Sequence, residues 1–416
     1  LRVVVRAALC VLVAAAFVLP AGVLAGGQNK KVTGEKEWSI MIFWACDNNL
    51  EFTTEFCMQL WEKSLTSNEQ VNIVVFIDMK SQPGTWIYEI GQGTRKVVAT
   101  WPEMNSSDPA TLEKFVVWGE KNYPAKKNMV LISDHGYGWR GICQDESNGD
   151  VLMPNHGIAE ALKDVKATTG KEVDILAFDA CNMGSIEVAY EMRGAVKYVV
   201  ASETMEPYDG LPYEMFITDM VNNPSISAEQ LSKNIVYEYV LYYSEKWEYA
   251  HQMTYSQDFA TMAAIDTSEM DALGSAFDEV ADALLPIIPE ETKAVDDARG
   301  YALIGTWTNM AGYEWMPDVR TFVDGLREIK GHPELTEAID GFDAAFDAAV
   351  IAQANSNKYH DSVHGLNFWF PPSESQYNSQ GWAWARQFVY TDVGLDFVSQ
   401  TSWIDCLNAY YASCNS

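Results

Sequence analysis

Short unbroken runs of apolar residues punctuate the N-terminal half of the chain: WSIMIFWA at 38–45, NIVVFIDM at 72–79, MVLIS at 129–133, ILAF at 175–178 and VKYVVASE at 196–203. Runs this short, apolar at successive positions, predict strands buried on both faces. Between them, residues 50–65, 108–122, 156–167 and 184–193 read as helices; the second opens on Asp108 as a cap and spaces Leu112, Phe115, Val116 and Gly119 helically. TWIYEIG (85–91) and KVVATW (96–101) predict a hairpin. Strands alternating with helices in this way predict an α/β fold, with a mostly parallel sheet flanked by helices on both faces. In such sheets ligands gather beyond the carboxyl ends of the strands. Asp47, His135 and Cys181 all fall at that end.

Beyond about residue 225 the pattern changes. Residues 226–246, 267–286, 317–329 and 337–354 read as amphipathic helices, HGLNFWFPP (364–372) as a strand, and 380–388 and 402–412 as helices. The expected organisation is a signal peptide over 1–25, a polar segment over 26–37, an α/β domain over 38–255 and a largely helical C-terminal domain over 256–416, packed on the α/β domain.

Composition narrows the function classes. Hydrophobic residues make up 48% of the 416 positions and aromatic residues 12%, a globular balance. Lys and Arg number 28 against 58 Asp and Glu, a formal charge of −30 that repels nucleic acid and anionic membrane. Arg2 and Arg6, an apolar stretch over 7–19, Pro20 and small residues up to Ala25 follow the order of an export signal. The apolar stretch is short for a membrane span of about 20 residues. A secreted or periplasmic protein with no stable membrane insertion after signal removal is therefore expected. Export permits disulfides, and Cys406 and Cys414 are close enough in sequence to be candidates. His360 and His364 are spaced H-x3-H, without the further ligands that zinc needs.

The chemistry gathers in VDILAFDACNMGSIEVAY, residues 173–190, where a strand ends on Asp179, Ala180 and Cys181 and a helix follows. A thiol attacks as thiolate, and a neighbouring imidazole lowers its pKa and later protonates the leaving group. The N-terminus of the following helix would add to that stabilisation. His135 ends the preceding long apolar run, 46 residues earlier. Gly136 beside it allows close approach of a backbone N–H, and with the N–H of Cys181 it would form an oxyanion hole. Asp47 and Asn48 end the first strand, where either a turn or a border of the cleft explains them.

The segments MIFWACDNNLE (41–51), DPATLEKFVVWGEKNYPA (108–125), MVLISDHGYGW (129–139), FDACNMGSIEVAYEMR (178–193) and YVVASETMEPYDGLPY (198–213) closely resemble the clostripain family of cysteine peptidases. HGLNFWFP and the closing TSWIDCLNAYY are similar to that family's C-terminal part. The resemblance implies a caspase-like fold, a catalytic domain over 38–255, and cleavage of proteins or peptides after Arg or Lys; a monomer is expected. By motif position it makes His135 and Cys181 the catalytic pair and sets Asp179 and Asp209 around the pocket for the residue preceding the cut. Two carboxylates there offer a guanidinium a fork. Glu203 and Glu206 are rival acids on the same loop, and a helix cap is the alternative for Asp179.

Three departures stand out: Asn182 after the cysteine, Tyr137 after the His-Gly pair, and no Lys or Arg between Arg140 and Lys163, where relatives mature by cleavage. The chain is expected to stay intact there. No cofactor is required by this chemistry. A calcium ion held by Asp145, Glu146, Asn148 and Asp150 of the loop QDESNGD (144–150) stays open beside a plain exposed loop. The rival functions are the same scaffold with another side-chain preference, or an inactive secreted binding protein.

Overall fold

The computed structural model describes residues 34–64, 68–91, 93–245, 260–303, 315–355, 362–379 and 388–415. The expected signal peptide, His360 and most of the expected helix at 380–388 lie outside them. The apolar runs form strands β1 (Lys36–Cys46), β2 (Val71–Met79), β5 (Ala125–Ser133), β8 (Val173–Asp179) and β9 (Val196–Ala201), all parallel to their neighbours in the order β9-β8-β5-β1-β2. The expected hairpin, β3 (Gly84–Gly91) and β4 (Thr94–Pro102), extends the β2 edge in antiparallel fashion. Strands β6 (Ile142–Asp145) and β7 (Val151–Met153) form a separate small ribbon.

Side chains of β1 explain why its run is apolar at every position. Met41, Phe43 and Ala45 enter one hydrophobic cluster, while Ile40, Ile42 and Trp44 enter the other on the opposite face. Helices α1 (Glu51–Ser64), α5 (Tyr213–Asn222) and α6 (Ala228–Glu245) cover that second face through residues such as Trp61, Phe216 and Tyr239. Helices α2 (Pro109–Asn122), α3 (Asn155–Thr169) and α4 (Ile186–Glu191) cover the first, with Phe115, Leu162 and Val188 buried. The same cluster runs on into α7 (Met270–Leu284), α8 (Ile288–Ala302), α9 (Val319–Gly325) and α10 (Pro333–Ala349). The chain closes with α11 (Glu374–Ser379), α12 (Asp396–Gln400) and α13 (Trp403–Cys414). The described residues form one compact unit.

The C-terminal half also supplies two strands, β10 (Thr261–Asp266), antiparallel to β9, and β11 (Val350–Asn355), antiparallel to β10, which complete a nine-stranded sheet among the described residues. The helical reading of 337–354 therefore ends early, at Ala349, and HGLNFWFPP is extended without joining the sheet. Leu366, Phe368, Trp369 and Phe370 are buried as a strand's would be. Their backbone partners, however, are loops: Asn367 N–H donates to Gly184, Phe368 to Pro317 and Phe370 to Trp315. Burial pattern cannot distinguish those partners from a ladder. Cys406 and Cys414 do not pair; the Cys406 thiol instead meets the Ala281 carbonyl at 3.2 Å. No helix among the described residues is long and apolar enough to cross a membrane.

Phe43 stacks on Phe76 with ring centroids 4.4 Å apart and tilts against Phe115 at 6.1 Å, tying β1 to β2 and α2. Phe43→Ala is expected to lower stability by about 3–5 kcal/mol in urea denaturation. A loss well below 1 kcal/mol would mean that this layer does not hold the sheet together.

Candidate active site

The ladder between β5 and β8 pairs Met129 with Ile175 and continues in register to Ser133 opposite Asp179. Asp134 N–H prolongs it by donating to the Asp179 carbonyl at 3.4 Å. His135 and Cys181, each two residues beyond a paired position, leave the sheet at the same level. Both line one cleft, together with Trp44, Trp61, Asp179, Glu206, Asp209, Tyr213 and Tyr242.

Cys181 is half-buried on a loop clamped from both sides. Asn182 N–H donates to Thr204 at 2.8 Å, Gly184 N–H to Ser202 at 2.7 Å, and Glu206 N–H to the Cys181 sulfur at 3.2 Å. Asn182 takes a left-handed φ of 59°, which asparagine tolerates and a β-branched residue resists, so this departure from the family pattern suits its turn. Gly184 must lack a side chain, because a Cβ there would come within 2.7 Å of Glu203 N. Helix α4 begins only at Ile186, capped by Ser185, whose hydroxyl accepts from Val188 N–H. The helix terminus expected beside the thiol is thus several residues away. Burial, reinforced by the carboxyls of Glu206 and Asp179, pushes the thiol up to about 12.

The imidazole of His135 is held by a residue that the sequence did not single out. Its Nε2 lies 2.8 Å from Asn49 Oδ1. An amide oxygen only accepts, so Nε2 carries the proton and Nδ1 keeps its lone pair. Asn48 anchors the same loop by donating to Asp134 Oδ1 at 2.7 Å and to the Gln144 carbonyl at 2.8 Å. The three polar residues Asp47-Asn48-Asn49, at the carboxyl end of the strand beside β5, were the available signal. Burial lowers the His135 pKa to about 4. No hydrogen bond among the described residues joins His135 to Cys181.

Gly136 is buried, and a Cβ on it would collide with the Cys181 carbonyl oxygen. Tyr137, the departure after the His-Gly pair, donates its hydroxyl to Gln144 at 2.8 Å and is not among the residues lining the cleft. Asp179 is no helix cap. Its carboxylate accepts from Leu211 N–H at 2.8 Å, Tyr213 Oη at 2.6 Å and Ser133 Oγ at 3.1 Å. Gly210 permits that approach, since a Cβ would sit 2.6 Å from Asp179 Oδ1. Asp209 is half-buried on the cleft wall. Glu203 points elsewhere: its carboxyl accepts from Gly365 N–H at 2.5 Å, and burial beside Asp318 pushes its pKa well up.

The four oxygen donors of the acidic loop do not converge. Glu146 pairs with Lys80 at 2.6 Å, and Asp150 accepts from Gln144. Asn148 turns its amide nitrogen, which cannot ligate a cation, toward Glu103 and Asp145. The carboxylates that do come together are Asp47, Glu103 and Asp145, with oxygens within 4.8 Å of one another.

With this geometry in place, comparison with known proteins is informative. The model of the clostripain family matches residues 42–410. A curated clostripain from Hathewaya histolytica is 29% identical over 202 residues, a stretch that covers 40% of this chain and only 36% of that protein. A secreted C11 cysteine protease from Bacteroides thetaiotaomicron, solved with an irreversible peptide inhibitor, superposes with a TM-score of 0.61 at 21% identity, over 86% of this chain and 99% of that one. An inactive zymogen C11 protease from Parabacteroides distasonis gives 0.60 at 19% identity, over 88% and 100%. Likeness at these identities establishes the shared fold.

An imidazole neutral down to about pH 4 and a thiol near 12 make an uncharged resting pair at neutral pH. Alkylation of Cys181 by iodoacetamide in the substrate-free protein should therefore rise about tenfold per pH unit through the mildly alkaline range, as thiolate forms. Peptide mapping by mass spectrometry measures it. A plateau already reached at neutral pH would indicate a preformed thiolate–imidazolium pair instead.

Proposed function

The chain belongs to the clostripain family of cysteine peptidases, and on that premise we propose that it is an exported endopeptidase cutting after Arg or Lys, with Cys181 as nucleophile and His135 as general base and acid. The observation that carries this reading is the register of β5 against β8, which sets both side chains at one level on a single cleft. Nδ1 of His135, left unprotonated by the Asn49 contact, takes the Cys181 proton as the sulfur attacks the scissile carbonyl. The N–H groups of Gly136 and Cys181 receive the oxyanion. The imidazolium then protonates the departing amine, and a water molecule activated by His135 hydrolyses the acyl-enzyme.

Side-chain preference follows from charge. Among the described residues the cleft is lined by the carboxyls of Asp179, Glu206 and Asp209, with aromatic walls and without Lys or Arg. A cationic side chain entering there finds acceptors on several sides. Export is supported by the N-terminal pattern of the sequence and by the secreted description of the Bacteroides thetaiotaomicron relative.

The mature enzyme remains a single chain between its two catalytic strands. Arg140 is buried with its guanidinium over the rings of Trp139 and Trp369 at 4.4 and 4.5 Å, while Lys163 sits in the middle of α3. A protease needs an extended, accessible segment, and neither site offers one.

Three outcomes are expected. Cys181→Ala abolishes turnover of fluorogenic peptides while a peptide ligand still binds; unchanged hydrolysis would exclude Cys181. Wild-type enzyme prefers Arg or Lys to Asn before the cut, and Asp209→Asn lowers kcat/KM for the Arg substrate about 10- to 100-fold, the worth of a charged hydrogen bond. Active protein runs as one band in denaturing gels, whereas two fragments joined only by folding would contradict an intact linker.

A further inference from the structure

Carboxyl groups in the cleft are unequally provided for. Asp179 accepts three hydrogen bonds, as befits a carboxylate. Glu206 is its opposite: both carboxyl oxygens are buried without a donor at full bonding geometry, and its hydrogen-bonding neighbours are the Asp179 carboxyl and the Ala180 backbone. Among the described residues, the ionisable groups acting on Glu206 are the Asp179 carboxylate, the Cys181 thiol beside its own backbone, and the hydroxyls of Tyr239 and Tyr243 on α6. None of them carries positive charge. An uncompensated carboxylate in that setting is strongly disfavoured, so the group keeps its proton. Burial and the neighbouring Asp179 charge both push in that direction.

We propose that Asp179 and Glu206 act as a proton-sharing pair that takes up the guanidinium or ammonium group of a substrate in exchange for one proton, which makes Glu206 a specificity-determining residue. This rests on the reading that a basic side chain enters the cleft. In the empty cleft Glu206 is a neutral acid and Asp179 a carboxylate, a pair with one negative charge. When the cation arrives, the O–H bond of Glu206 breaks and its proton passes to solvent. The cation is then held between two carboxylates, and no other bond changes. A neutral side chain cannot drive the exchange, because it would leave two adjacent carboxylates unbalanced.

The consequence reaches the nucleophile. Glu206 N–H lies 3.2 Å from the Cys181 sulfur, and the carboxyls of Glu206 and Asp179 are among the groups that keep the thiol protonated. A bound cation offsets that field, so a basic substrate eases the proton transfer that its own cleavage requires.

The test is titration calorimetry of the full chain carrying Cys181→Ala with an uncleaved Arg-containing peptide, at one neutral pH in two buffers of different ionisation enthalpy. Release approaching one proton per peptide is expected. Glu206→Gln, built into the same chain, should bind the peptide with release close to zero. In the chain that retains Cys181, Glu206→Gln should remove the fall of KM with rising pH while the pH profile of kcat persists. A residue that merely supports the loop would not alter the proton count. Arg peptide bound without proton release, or release unchanged by Glu206→Gln, would overturn the proposal. Should the variant fail to fold, the count for the chain with intact Glu206 still decides. Failure of the Arg peptide to bind where a neutral counterpart does would overturn the basic-residue reading itself, and the exchange with it.

Discussion

Ser133 stands opposite Asp179 in the parallel ladder between β5 and β8, and the site inherits its geometry from that match. Side chains alternate faces along a strand, so a slip of one residue would send Leu131, Ile132, Ala177 and Phe178 to the wrong layers. Both layers are full: Ile132 and Phe178 belong to one cluster, Leu131 and Ala177 to the other. Register is therefore enforced by packing on two sides at once. His135 and Cys181 gain their common level from hydrophobic residues that never touch a substrate.

The loops beyond the strands then convert position into chemistry. Asn48 and Asn49 reach across from β1, one pinning the segment through Asp134 and the other selecting the tautomer of His135. On the far side, Glu206 lays its amide on the sulfur and its carboxyl beside Asp179. The resulting resting state is quiet, with a neutral imidazole and a protonated thiol. On the proposed reading, a site of this kind holds back reactivity until a positively charged group enters.

Much of this was legible in the sequence, for identifiable reasons. Doubly buried strands such as 38–45 and 129–133 announce themselves by apolar residues at every position, and they fixed the expectation of a parallel sheet whose carboxyl ends carry His135 and Cys181. The short strand at 261–266, rich in alanine, has no such signature, and β11 follows α10 without a break. HGLNFWFPP shows the converse, because burial of Leu366 and Trp369 looks the same whether the backbone bonds to a strand or to loops. Asn49 and Glu206 owe their roles to side-chain direction across elements far apart in the chain, which residue spacing does not encode. The start of α4 was placed too near the cysteine, since Ser185 as its cap was hidden among small residues.

Covalent labelling tests the central claim most directly. An acyloxymethyl ketone bearing an Arg side chain, added to the folded protein and mapped by mass spectrometry, should modify Cys181 alone among the six cysteines from Cys46 to Cys414, and His135→Ala should suppress that modification. Label on another cysteine, or none at all on correctly folded protein, would contradict the account.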